Sequence, residues 1–238
     1  MSEEFFKIDF SSLSVKFELE LNYFKEYISF NSEQLNRRHD ELQKMMQTEV
    51  SDFPENKMII EAIYAEEALI LPSYFFHSSI VALYSLLENN LNEICNVIIK
   101  ETAFAFSISD LGDRNILKRA RIFLDKLTNI EFIKIDKSWI KITSIQKLRN
   151  LIVHQNAKTK ELKNDIADII FSYGTTREDI DGLRFYIHKS QLLDEFLAAI
   201  EQMIKEIIDQ LSRSNFQRFN KATPTDAWGY GLPNDLPF

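Results

Sequence analysis

Ile80-Val81-Ala82-Leu83-Tyr84-Ser85-Leu86-Leu87-Glu88-Asn89-Asn90-Leu91-Asn92-Glu93-Ile94-Cys95-Asn96-Val97-Ile98 decides the fold class of this chain. Ile80, Leu83, Leu87, Leu91, Ile94 and Ile98 recur every three or four residues, which gathers them on one face of an α-helix. Glu88, Asn89, Asn92, Glu93 and Asn96 fill the rest of the surface, so the stretch reads as an amphipathic helix from Ser73 to about Thr102, central to a bundle. Pro72 and Ser73 mark a break from a preceding helix of about Glu55 to Leu71. Cys95, the single cysteine, lies on the apolar side and reads as a small core hydrophobe with no disulfide partner in the chain.

The same periodicity extends outward. Phe17, Leu21, Phe24, Ile28, Leu35, Leu42 and Met45 predict a helix from about Leu13 to Val50, with an interruption near Ser29–Ser32 and a break at Asp52-Phe53-Pro54. Phe5, Phe6 and Phe10 form a short aromatic arm before it. Beyond Thr102, Ser109 or Asp110 is expected to cap a helix reaching Leu127, followed by a short extended piece at Phe132 to Ile135. Ser138 is expected to cap a helix with Trp139, Ile142, Ile145, Leu148 and Ile152 inward. A helix from about Glu161 to Tyr173, a turn at Gly174 and an alternating stretch Leu183 to Ile187 follow. A last helix runs from Ser190 to about Ser212. No proline occurs between Pro72 and Pro224 and the chain has five glycines, which suits long helices. The expected class is all-α: a bundle of long antiparallel helices with at most a short β-hairpin-like piece.

Three regions are expected: an N-terminal arm and helical extension over 1–54, the bundle over 55–212, and an irregular tail over 213–238. The tail carries three of the five prolines together with Phe216, Phe219, Trp228, Tyr230 and Phe238. It either docks by these side chains or is loose. The chain opens Met1-Ser2-Glu3-Glu4, acidic where a secretion signal is basic, and no apolar run approaches the roughly 20 residues of a membrane span. The cytoplasm is the expected compartment, with no membrane partner.

A net charge of −8 disfavours non-specific coating of nucleic acid. The average conceals an asymmetry. Between Arg114 and Lys163 there are 13 Lys/Arg against four acids, and elsewhere 15 against 32. Such a basic middle fits a polyanion site confined to one face, and it equally fits a solvated helix surface.

Within that basic middle stands Leu148-Arg149-Asn150-Leu151-Ile152-Val153-His154-Gln155-Asn156. Arg followed after four to six residues by His is expected about half a time by chance in this composition, and roughly 0.03 times with Asn directly after the Arg. From Trp139 to Asn156 the segment resembles the signature helix of the HEPN superfamily, whose helical-bundle members carry Arg-X4–6-His. The resemblance is strong over about twenty residues and extends, as an order of helices, from roughly Glu55 to Ser212. It implies metal-independent endoribonuclease activity in a homodimer, frequently as a toxin or antiviral-defence effector, with no cofactor, RNA as substrate and an antitoxin or defence protein as partner. Asn156 stands where a subgroup of these toxins has a tyrosine modified by its antitoxin, so silencing of that kind is not implied. A HEPN-like module that binds a partner without catalysis is the alternative reading.

The residue types suit this chemistry in their own right. Cleavage of RNA by its own 2′-OH needs a proton acceptor that titrates near neutrality and a cation to meet phosphate oxygens, which His154 and Arg149 supply. Asn150, four residues before His154, is placed to bind phosphate or orient that histidine. Lys147, Asn156, Lys118, Arg119 and Arg121 are the candidate substrate-binding residues. Five residues turn a helix by about 140° beyond one full revolution, so Arg149 and His154 do not converge on one phosphate, and a site shared between two chains is expected. A helix end bearing His in its last turn and Arg one turn earlier also arises as ordinary surface. His39, in a charged helical stretch, reads as solvated, and His77, among Tyr74, Phe75 and Phe76, as partly buried with a local hydrogen bond. His188 carries no assignment. No His or Cys pair has metal-ligand spacing, and no Gly-rich phosphate loop is present.

Overall fold

A computed structural model describes residues 5–113, 115–180 and 182–218. Among the described residues 76% are helical, with six α-helices, so the fold is mostly α. In chain order the elements are β1 (Phe5–Phe6), α1 (Ser11–Asp52), α2 (Lys57–Thr102), α3 (Ile116–Leu127), α4 (Asp136–Gln155), β2 (Lys158–Thr159), α5 (Asn164–Tyr173), β3 (Gly174–Asp179), β4 (Gly182–Ile187), α6 (Gln191–Arg213) and β5 (Phe216–Gln217). The described residues form two compact units, one from 5–18, 86–113, 115–136 and 202–218, the other from 19–85, 137–180 and 182–201.

The deciding stretch of α2 behaves as its periodicity requires. Ile80, Leu83, Leu87, Leu91 and Ile94 are fully buried, and Ile98 nearly so. Cys95 is buried among them, and its thiol is pushed up to about 12 by desolvation, which leaves it un-ionised and inert near neutrality.

Several boundaries differ from the sequence reading. Pro72 does not end a helix: α2 runs unbroken from Lys57 to Thr102 with Pro72 inside it. A proline lacks only its own N–H and crowds the carbonyl four residues earlier, and a helix packed on both sides of it survives that local cost. Likewise α1 is continuous through Ser29–Ser32, because three polar residues do not outweigh a 42-residue helix anchored by Phe17, Leu21, Ile28 and Leu42. Ser107, Ser109 and Asp110 belong to a single 3₁₀ turn, and α3 starts later, where the Asn115 side chain accepts from the Lys118 amide at 3.2 Å. Phe132–Lys134 is also a 3₁₀ turn rather than an extended piece. Ser138 lies buried inside α4, which begins at Asp136, an acid suited to the positive end of a helix.

The β content exceeds one hairpin-like piece. β1 pairs antiparallel with β5, bringing Phe6 and Phe216 to 6.5 Å between ring centres. The aromatic arm therefore docks, with Phe10 buried beside Phe216. The rest of the aromatic tail, from Phe219 on, lies outside the described residues. In the second unit β2, β4 and β3 form a three-stranded antiparallel sheet in that order. Gly174 opens β3 where a Cβ would stand 2.2 Å from the Tyr186 carbonyl oxygen, so only glycine lets the two strands close.

By length and composition α2 also passes as a membrane span, with a mean hydropathy of 1.4 over its best window, contrary to the expectation from run length. Of that window, 39% is buried.

Candidate functional site

The motif rides on α4, and the face that anchors this helix is the one the sequence marks: Trp139, Ile142, Ile145 and Leu148 are all buried. Leu148 fixes the rotation of the helix next to Arg149, which lies half-buried against the α2 core. Its guanidinium carbon stands 5.5 Å from the ring centroid of Tyr84, a side chain itself 1% exposed. One guanidinium nitrogen donates to the Asn150 side-chain oxygen at 3.2 Å. The Arg149 Nε is buried and has no hydrogen-bond partner among the described residues. An arginine held between an aromatic face and a neighbouring amide is pre-ordered, and so loses less freedom on gripping an oxyanion than a mobile one would.

Asn150 thus orients Arg149, its chain neighbour, rather than His154. His154 is exposed in the last turn of α4. It makes no hydrogen bond or ion pair among the described residues.

Past the motif the backbone turns sharply. Asn156 and Ala157 both adopt left-handed conformations, with φ of 52° and 58°. Asn tolerates this conformation, but for alanine it costs on the order of 1–2 kcal/mol. One local and one tertiary bond hold it in place: the Ala157 amide donates to the Leu151 carbonyl at 3.1 Å, and its carbonyl accepts from the Phe185 amide of β4 at 3.0 Å. The sheet therefore clamps the end of the helix that carries His154. Beside the clamp is a cavity of about 40 Å³ lined by Asn156, Ala157, Phe185 and His77. The His77 ring stacks edgewise on Phe185 at 5.3 Å and shares a 3.3 Å hydrogen bond with Ser73. Burial pushes its pKa down to about 4, so it is neutral near pH 7. The expected local hydrogen bond is present; its contact with the strand that clamps the motif is not foreseeable from sequence.

Among the described residues no group of three His, Cys, Asp or Glu is placed to hold a metal ion. No family model, curated protein or solved structure matches this chain. The site therefore stands on its own chemistry.

The other candidate residues are more dispersed. Lys147 is exposed on α4 but ion-paired with Asp165 of α5, and the ammonium holds that carboxyl below its usual range. Lys118, Arg119 and Arg121 lie on α3, in the other compact unit. Lys118 pairs with Asp113 at 2.8 Å. Arg121 contacts Asp136 at 3.4 Å and lies over the Phe132 ring at 4.8 Å. Arg119 is half-buried, its Nε without a hydrogen-bond partner among the described residues. Sequence reasoning missed Tyr84 and Ala157. The first has a trace in sequence, a phenol next to a core position. Nothing in the chain announces a strained alanine.

Proposed function

We propose that this chain is a metal-independent endoribonuclease of toxin or antiviral-defence type, HEPN-like, working as a homodimer in the cytoplasm with RNA as substrate. The observation that carries the reading is the ordered guanidinium of Arg149, held by Tyr84 and Asn150 five residues before an exposed histidine. Arg149 would receive phosphate oxygens and stabilise the charge that develops as the 2′-oxygen attacks; His154 would take the proton from that hydroxyl. Because the two point about 140° apart, each phosphate would meet Arg149 of one chain and His154 of a second. An antitoxin or a defence protein would control access to the site.

The test is cleavage of RNA by the purified protein in excess chelator, with 2′,3′-cyclic phosphate ends as the expected product. Arg149→Ala and His154→Ala should each lower the rate by at least about a hundredfold. Cleavage that survives both substitutions undiminished removes the proposal.

A second reading, a HEPN-like interaction module without catalysis, draws support from the carboxylates paired with Lys147, Lys118 and Arg121, which lower the charge available to RNA. Binding of a defined protein partner without RNA cleavage, in that partner's presence or absence, would favour it.

A further inference from the structure

Helices α1 and α2 fold back on one another, tied by Arg38 to Glu67 at 2.7 Å and by Tyr64 to Glu49 at 3.0 Å. Between them opens a cleft of about 600 Å³, reached also by His188 and Ser190, between β4 and α6. Packed interiors leave no voids of that size, and it falls within the roughly 300–1,000 Å³ of small-molecule sites.

The sequence explains the space. On α2, Ala65 and Ala68 stand where larger side chains would fill the hairpin, and Pro72 has no N–H to give to the Ala68 carbonyl. With Leu69 and Phe76 they make this wall apolar. The α1 wall differs. Ser32, Asn36, His39 and Gln43 recur at four, three and four residues beside the apolar Leu35, Leu42 and Met46, so this helix face adds a ladder of hydrogen-bonding side chains. His39 and Gln43 already hold one another at 3.2 Å, and the Ser32 hydroxyl is buried with no hydrogen-bond partner among the described residues. Of the residues lining the cleft, Glu61 is the one carboxylate, and none is Lys or Arg.

We propose that this cleft binds an uncharged heteroaromatic molecule of nucleoside size. Its ring faces would lie on the apolar α2 wall, and its hydrogen-bonding edge on the α1 ladder. A phosphate-bearing ligand would need a lysine or arginine, which the lining lacks. A plain acyl chain would desolvate the ladder and return no hydrogen bonds. The inference is independent of the ribonuclease reading, since the cleft takes no residue from α4.

The test measures thermal unfolding of the full chain with adenosine, guanosine, cytidine or uridine at millimolar concentration. At least one should raise the melting temperature by roughly 3 °C or more. Filling the cleft by Ala68→Trp should abolish the shift, and Asn36→Ala should weaken affinity about tenfold. If Ala68→Trp fails to fold, the Asn36→Ala titration decides. Arg149→Ala and His154→Ala should leave the shift intact, which separates this site from the proposed RNA site. The proposal is overturned if no nucleoside shifts the transition, if Asn36→Ala binds as the parent does, if the 5′-monophosphate binds more tightly than its nucleoside, or if only an amphipathic helical peptide binds.

Discussion

The guanidinium carbon of Arg149 lies 5.5 Å from the ring centroid of Tyr84, so the arginine of the motif is aimed by a helix that contains none of the motif. Contacts of this kind are worth roughly 0.5–2 kcal/mol, rising as the cation is desolvated. Tyr84→Phe keeps the ring and should change cleavage less than about threefold. Tyr84→Leu loses the ring and should lower cleavage about tenfold at a temperature where the fold is intact, with circular dichroism as the check. Equal rates in the two variants would deny Tyr84 any part in positioning Arg149.

A site shared between two chains makes a sharper prediction. A heterodimer of one Arg149→Ala chain and one His154→Ala chain retains one intact combination of Arg149 and His154 and one doubly defective one. Purified through two different tags, it should recover about half the parental activity while each parent homodimer stays inactive. A site complete within one chain would give no recovery.

Acid stability should report on His77. Its pKa of about 4 is depressed from 6.5, so the folded state keeps it neutral. Its contribution is fully present above about pH 6.5 and is lost as the pH falls toward 4, because the unfolded chain takes up a proton that the folded chain refuses. The loss approaches about 3 kcal/mol at the lower limit, an upper bound for a group not wholly buried. Arg184, Tyr186 and Tyr74 line the same cavity. Urea unfolding at pH 7 and pH 4.5 should show a drop in the parent that His77→Leu largely removes.

Gly174 is fixed by close approach. A methyl group there meets the Tyr186 carbonyl oxygen at 2.2 Å, so the β3–β4 pairing must shift to admit it. Gly174→Ala should cost about 2 kcal/mol or more and lower the melting temperature by roughly 4–8 °C. Gly112, with open space around it, should accept alanine with almost no change.

The sequence by itself determined the helical class, the α2 stripe from Ile80 to Ile98, the inward face of α4 and the span of α6. In each case a period of 3.6 residues reflects a helix burying one side, which is a local property of the chain. That Arg149 is half-buried and His154 exposed is seen only in the structure. What periodicity could not determine depends on partners distant in sequence. Pro72 sits within a helix because the surrounding packing outweighs one lost hydrogen bond, whereas local rules end the helix there. Ala157 takes a left-handed conformation because Phe185, 28 positions along the chain, holds its carbonyl. Lys147 turns to Asp165, and Arg149 to Tyr84, because folding brings other helices beside α4. The identity of the motif is written in the chain; the aim of its arginine and the clamp behind its histidine come from tertiary contacts whose free energy exceeds what local preference supplies.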